Sequence, residues 1–274
     1  MQVGPITAVA WPANAALATG LARMAAEPWE YPGLGRRTAG AIRLIVVPDA
    51  RQLGRLSRGE APSWGVGIAL PEAHTILLRA DGGDPIQTLR HELAHLVLHA
   101  AVRGRLPLWF DEGYAAYAAG EWSRLDALSL NLTVARGSIP DFDHLDALLR
   151  GSAPQAEAAY ALAASAVLEL ARRNPEGSLA PLMSGLVGEE DFETAVRRTT
   201  GLTLSRFEEE WQRGVRRRYS FAAWAAAGGA WGILAVVVLF LGWRRRRADR
   251  PRRAALDQGW PPPPPDELDP PSQP

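Results

Sequence analysis

DPIQTLRHELAHLVLHA, residues Asp84–Ala100, is the stretch from which the rest of the sequence can be read. Asp84 followed by Pro85 predicts a helix start, because the aspartate can accept free first-turn amides and proline lacks only an N–H that would go unpaired there. Ile86, Leu89, Leu93, Leu96 and Val97 then recur at helical spacing, the mark of a helix laid against a core. Set into it are His91, Glu92 and His95. Residues four apart stand one above the other on a helix face, so two imidazoles can meet one metal ion with little backbone strain. Glu92 lies at the edge of that face, where a carboxylate can reach a metal-bound water. This is why the H-E-x-x-H spacing serves metal-assisted hydrolysis. The alternative is a pair of supporting or surface histidines. The apolar setting argues against it, since unpaired imidazoles and a carboxylate are costly to bury and a metal removes much of that cost.

A catalytic zinc normally takes three protein ligands and keeps one position open. Cysteine is absent, so no thiolate can contribute. LPLWFDEG (Leu106–Gly113) leads into YAAYAAGEW (Tyr114–Trp122), a second helical pattern. Glu112 follows His95 by seventeen residues (112 − 95), enough chain to end one helix, turn and lay another beside it. Asp111 is the rival, and either carboxylate would also suit a helix N-terminus. His99 lies two turns after His91. The longer pattern H-E-x-x-H-x-x-G-x-x-H fails, with Leu98 at the glycine and Ala101 at the last histidine. His99 therefore reads as a supporting or surface residue.

Working outward, Ile6 to Trp11 reads as a strand, Ala13 to Ala26 as a helix, and Ala41 to Val47 as a β-branched strand ending at a Pro48-Asp49 turn. Ser63 to Leu70 and His74 to Arg79 read as two strands joined by a turn at Pro71 to Ala73. From Asp84 onward the pattern is helical. Strands first and helices after predict an α+β domain over residues 1–218, its sheet built by the N-terminal third.

The 274 residues suit one globular domain with appendages, and 47% apolar residues with ten tryptophans supply a substantial core. Net charge is zero, and all thirty cationic residues are Arg, so nothing global points to nucleic acid. Residues 221–243 carry no charge, a length that predicts one transmembrane helix. Arg216 to Arg218 precede this run and Arg244 to Arg247 follow it, flanks foreign to a buried core helix. Seven Arg lie in the ten residues after it and four in the ten before, which predicts a cytoplasmic tail and an extracytoplasmic domain. Met1 to Ala10 lacks the pattern of a signal peptide. Residues 244–274, Arg-rich and then Pro-rich, are expected to be disordered, and Pro261 to Pro265 offer a possible docking segment for a partner.

HELAH together with WFDEG resembles the gluzincin metallopeptidases, in particular the bacterial peptidase MA-like domains related to the catalytic domain of zinc aminopeptidases. The likeness extends to SWGVGIALPEAHTILL (Ser63–Leu78), IPDFDHL (Ile139–Leu145), AAYALAASAVLEL (Ala158–Leu170) and GLTLSRFEEEWQ (Gly201–Gln212), roughly residues 40 to 215. It implies a zincin-like, thermolysin-like fold and one Zn2+ per chain held by His91, His95 and Glu112, with Glu112 rather than Asp111 as third ligand. It also implies that Glu92 activates the water and that Tyr160 hydrogen-bonds the oxyanion from the start of a later helix. No G-x-M-E-N stretch, the free-amine recognition element of the aminopeptidases, is found. The expectation is a membrane-anchored zinc peptidase, more an endopeptidase than an aminopeptidase, with the strand His74 to Arg79 pairing an extended substrate. The competing expectation is an inactive membrane-tethered binding or scaffolding domain. Retention of both histidines, Glu92 and a well-placed Glu112 counts against it.

Overall fold

The structure, a computed structural model, describes residues 1–121, 139–219 and 230–258. The chain divides into two compact units, Met1–Ser220 and Phe221–Pro274.

The first unit is α+β: an N-terminal mixed sheet, then a helical part. Strands β1 (Gln2–Val3), β2 (Ile6–Ala10), β5 (Ile42–Val47), β6 (Gly67–Leu70) and β7 (Thr75–Arg79) form one sheet in the order β1-β2-β5-β7-β6. β2, β5 and β7 run parallel, while β1 and β6 are antiparallel edges. Strand alternation decides the faces. Ile6, Ala8, Ile42, Leu44, Val46, Ile76 and Leu78 pack on helix α1 (Ala15–Ala26) and on α3 (Pro85–Ala101). Val47 and Leu77 face the other way and bury Leu53 of α2 (Ala50–Leu56).

β2, α1, β5 and β7 appear within a few residues of where the pattern put them. The expected strand Ser63–Leu70 shortens to β6, because the Gly65 amide turns back to the Pro62 carbonyl at 2.9 Å. Besides the short edge strand β1, two features were not foreseen. One is α2, capped by Asp49, which accepts the Gln52 amide at 2.9 Å. The other is a small hairpin of β3 (Trp29–Tyr31) and β4 (Gly35–Arg37). Its turn needs Gly33, at φ 73°, where a Cβ would lie 2.8 Å from the Leu179 carbonyl.

α3 begins as the sequence predicts, with Asp84 accepting the Ile86 amide at 2.9 Å and the Gln87 amide at 3.2 Å. It has three working faces. Leu89, Leu93 and Leu96 join the sheet core; Ala94, Val97 and Leu98 join the helical core. The third face carries the histidines. The helical core is built by α4 (Leu108–Ala119), α5 (Phe142–Leu149), α6 (Ala153–Arg173), α7 (Ala180–Val187), α8 (Phe192–Thr200) and α9 (Leu204–Tyr219). Trp109 of α4 stacks on Phe142 with ring centroids 4.0 Å apart. Pro107 gives α4 no side-chain cap. Asp146 of α5 supplies one, accepting the Trp109 amide at 2.7 Å and the Leu108 amide at 3.3 Å.

In the second unit one helix, α10, runs Ala230–Gln258. This corrects the sequence expectation at residues 244–258. Of the expected span 221–243, residues 221–229 lie outside the described residues. The rest is helical, but the same helix runs on into Arg244–Arg247, and among the described residues no helix is long and apolar enough to cross a membrane. The stretch 244–258, expected to be disordered, is helical. Its Arg, Ala and Leu are strong helix formers, and here propensity outweighs charge. The Pro-rich end, 259–274, lies outside the described residues.

Candidate metal centre

α3 and α4 bring His91, His95 and Glu112 together. Glu112 Oε2 stands 3.4 Å from His91 Nε2 and 3.5 Å from His95 Nε2. Those lengths are long for hydrogen bonds to an imidazole. They suit two donors sharing one ion, since ligands at 2.0–2.1 Å in a tetrahedron lie roughly 3.3 Å apart. The two imidazole rings, centroids 4.9 Å apart, keep 13% and 12% of their surface open to the cavity.

Each ring is held from behind by its own carboxylate. His91 Nδ1 donates to Glu121 Oε1 at 3.0 Å, and His95 Nδ1 donates to Asp111 Oδ1 at 2.8 Å. Since an ionised carboxylate only accepts, a proton sits on Nδ1, which leaves Nε2 of each ring as the atom that would meet a metal on the Glu112 side. Asp111, the rival ligand from sequence, is thus turned away from the cluster. Its second oxygen accepts from His99 Nε2 at 2.7 Å. Glu121 was missed. The signal for it was Gly120, which ends α4 in the left-handed conformation at φ 71° and turns the next residue back toward α3.

The electrostatics ask for a cation. Burial alone would strip His91 of its proton, but the Glu121 charge, the nearby Glu112 carboxylate and the hydrogen bond to Glu121 outweigh it and hold His91 up to about 10. His95 is likewise raised, burial being overcome by Asp111 and Glu112. Glu112, though buried, is held down to about 2 by the two imidazoles. A divalent ion satisfies the same demand with neutral imidazoles, so the donor set fits zinc.

Glu92 is 7% exposed and lies under β6. Burial raises its carboxyl; the imidazoles and the Ala69 amide of β6 oppose that rise. Gly67 makes the contact possible, since a Cβ there would stand 2.8 Å from Glu92 Oε1 and 2.7 Å from Thr88 Cγ2. Tyr160 does not open its helix as expected. It lies two turns inside α6, its ring edge-on to His91 at 6.1 Å and to Trp64 at 6.4 Å. Burial, with Glu112 and Glu92 nearby, holds its hydroxyl far above the usual tyrosine range. All of these groups line one cavity of about 490 Å3, walled by Trp64 to Ala69 on one side and by Leu149, Arg150 and Tyr160 on the other. The strand beside it is β6, an edge. β7, the strand expected to pair substrate, is interior, with both its neighbours already hydrogen-bonded.

A family model described as the Peptidase MA superfamily matches residues 41–217. The chain belongs to the Peptidase MA superfamily. This is a group of zinc metallopeptidases, and the His91, His95 and Glu112 cluster is consistent with its zinc site. The match runs from the start of β5 into α9. It therefore includes all the cavity residues named above, while β1, β2, α1 and the β3–β4 hairpin precede it. A search of curated proteins found no relative.

Proposed function

We propose that this Peptidase MA chain is a membrane-anchored zinc peptidase that cuts within extended polypeptides. The observation that carries the reading is a single cavity holding the His91, His95 and Glu112 donor set, the buried Glu92 carboxylate and β6, the edge strand of the sheet among the described residues. His91, His95 and Glu112 hold the zinc ion. When bound, zinc supplies Lewis-acid polarisation of the scissile carbonyl and lowers the pKa of water. Glu92, its carboxyl raised by burial, takes a proton from the attacking water and returns it to the leaving amine. Tyr160, kept protonated by its setting, donates to the carbonyl oxygen as negative charge develops there. The β6 edge offers main-chain groups to an extended substrate without demanding a sequence. The absence of G-x-M-E-N favours internal over aminoterminal cleavage.

Membrane anchoring rests on the uncharged run 221–243 between Arg clusters, and orientation on the Arg excess after Trp243. On this reading the catalytic unit is outside, the tail is cytoplasmic, and the Pro-rich end is free to bind a partner. Protease shaving of intact cells should remove the catalytic unit and spare the tail; removal of the tail alone would reverse the orientation.

The enzymatic reading is tested with the full chain and Glu92→Gln. Zinc content should be about one per chain in both, and cleavage of a mixed peptide pool should vanish in the variant. A fully active Glu92→Gln would sink the mechanism. A wild-type protein that binds zinc and cuts nothing would favour a scaffolding role.

A further inference from the structure

We propose that His99 is a positioning residue for the metal centre, acting through Asp111 to fix the ring of His95. This rests on the zinc reading above and on one chain of contacts. His99 lies one helical turn beyond His95 on α3, and Asp111 of α4 spans the two. Asp111 Oδ1 accepts from His95 Nδ1 at 2.8 Å, and Oδ2 accepts from His99 Nε2 at 2.7 Å. A carboxylate with one oxygen engaged still turns about its Cβ–Cγ bond, a soft torsion. With both oxygens engaged at these lengths it is clamped. The plane of Asp111 sets the plane of the His95 imidazole, and that plane aims the Nε2 lone pair at the point shared with His91 and Glu112.

The distances separate this role from a second metal site. The donor atoms of His95, His99 and Asp111 are near enough to one another to surround an ion. Yet 2.8 and 2.7 Å are hydrogen-bond lengths, well short of the roughly 3.3 Å between ligands of a tetrahedral zinc. The Glu112 contacts, at 3.4 and 3.5 Å, match that spacing. The His99 side chain is 35% exposed, so its loss leaves the core intact.

The test compares the full chain with His99→Ala and His99→Gln. Zinc dissociation constants come from competition with a chromophoric chelator, and the visible spectrum of the cobalt-substituted protein reports ligand geometry. His99→Ala should bind zinc about tenfold more weakly, the low end for loss of a ligand's outer partner, and should shift the cobalt bands. His99→Gln, whose amide can donate to Oδ2, should restore most of both. Unchanged affinity and spectrum in His99→Ala would overturn the inference. So would a loss that Gln does not restore, or one accompanied by a lower melting temperature of the metal-free protein, since either marks a packing role. A second zinc equivalent, present in wild type and missing from His99→Ala, would make His99 a ligand instead. Wild-type protein that binds no zinc would bring down the zinc reading itself, and that result is distinct from all of these.

Discussion

At the scale of the residue, the carboxylates around the two imidazoles divide the labour by position. Glu112 faces both Nε2 atoms, while Glu121 and Asp111 each hold one Nδ1. Removing them should therefore have graded effects on zinc affinity. Glu121→Gln and Asp111→Asn each leave three donors in place but weaken the orientation and basicity of one ring, an expected loss of about 10- to 100-fold. Glu112→Gln removes the anionic donor itself and should lose more than either, as read by zinc content after dialysis against a graded chelator series. If Asp111→Asn loses zinc and Glu112→Gln keeps it, the assignment is reversed. His91, Glu92 and His95 were legible in sequence because one helix sets their spacing. Glu112 was separable from Asp111 only by family resemblance, since both lie on the same turn and only the fold shows which faces the rings. Glu121 was missed, because its one signal was the helix-ending Gly120 and its approach depends on how α4 ends.

Among the elements, α4 carries the most consequence for the site. It brings Asp111 and Glu112, yet its first turn is capped by a residue of another helix. Asp146→Ala should cost about 1 kcal/mol of stability, as the loss of a helix cap does. It should also weaken zinc binding, although Asp146 touches no proposed ligand. Equal zinc affinity in the destabilised variant would show that α4 is held in place without this cap. α4 is also pressed against α6 at Gly113, where a Cβ would meet the Ala163 carbonyl at 2.5 Å. Gly113→Ala should therefore destabilise by about 1–3 kcal/mol as an overpacked contact, measured by chemical denaturation. The long periodic elements, α3 and the β5 and β7 strands, could be read from pattern alone. The β3–β4 hairpin could not, because its three-residue strands are shorter than any periodicity. Nor could the place of β7 inside the sheet and β6 at its edge, since strand order is a long-range property.

For the whole molecule, the charge of the centre predicts how stability follows pH once zinc is removed. In the metal-free folded chain the Glu121 and Glu112 carboxylates hold His91 up to about 10 against an ordinary 6.5. A folded pKa above the unfolded one stabilises fully below pH 6.5, and that contribution fades as pH rises through about 10. Glu112, held at about 2 against 4.5, contributes above pH 4.5 and loses its contribution as pH falls through about 2. The chelator-treated chain should thus melt highest between pH 4.5 and 6.5 and lower toward pH 10, with calorimetry as the check. Added zinc should raise the melting temperature most at the alkaline end, where no proton competes for Nε2. A flat profile would contradict the burial and pairing described for His91.

The position of α3 carries one more consequence. Its Leu93 belongs to the sheet core, its Val97 to the helical core, and its histidines to the cavity between them. Neither half can open fully without disturbing the helix that supplies two of the three donors, so the halves are thermodynamically linked through it. The amides of α3 should exchange with deuterium only through global opening. Zinc should slow exchange not just around the cavity but also in β5 on one side and in α6 on the other.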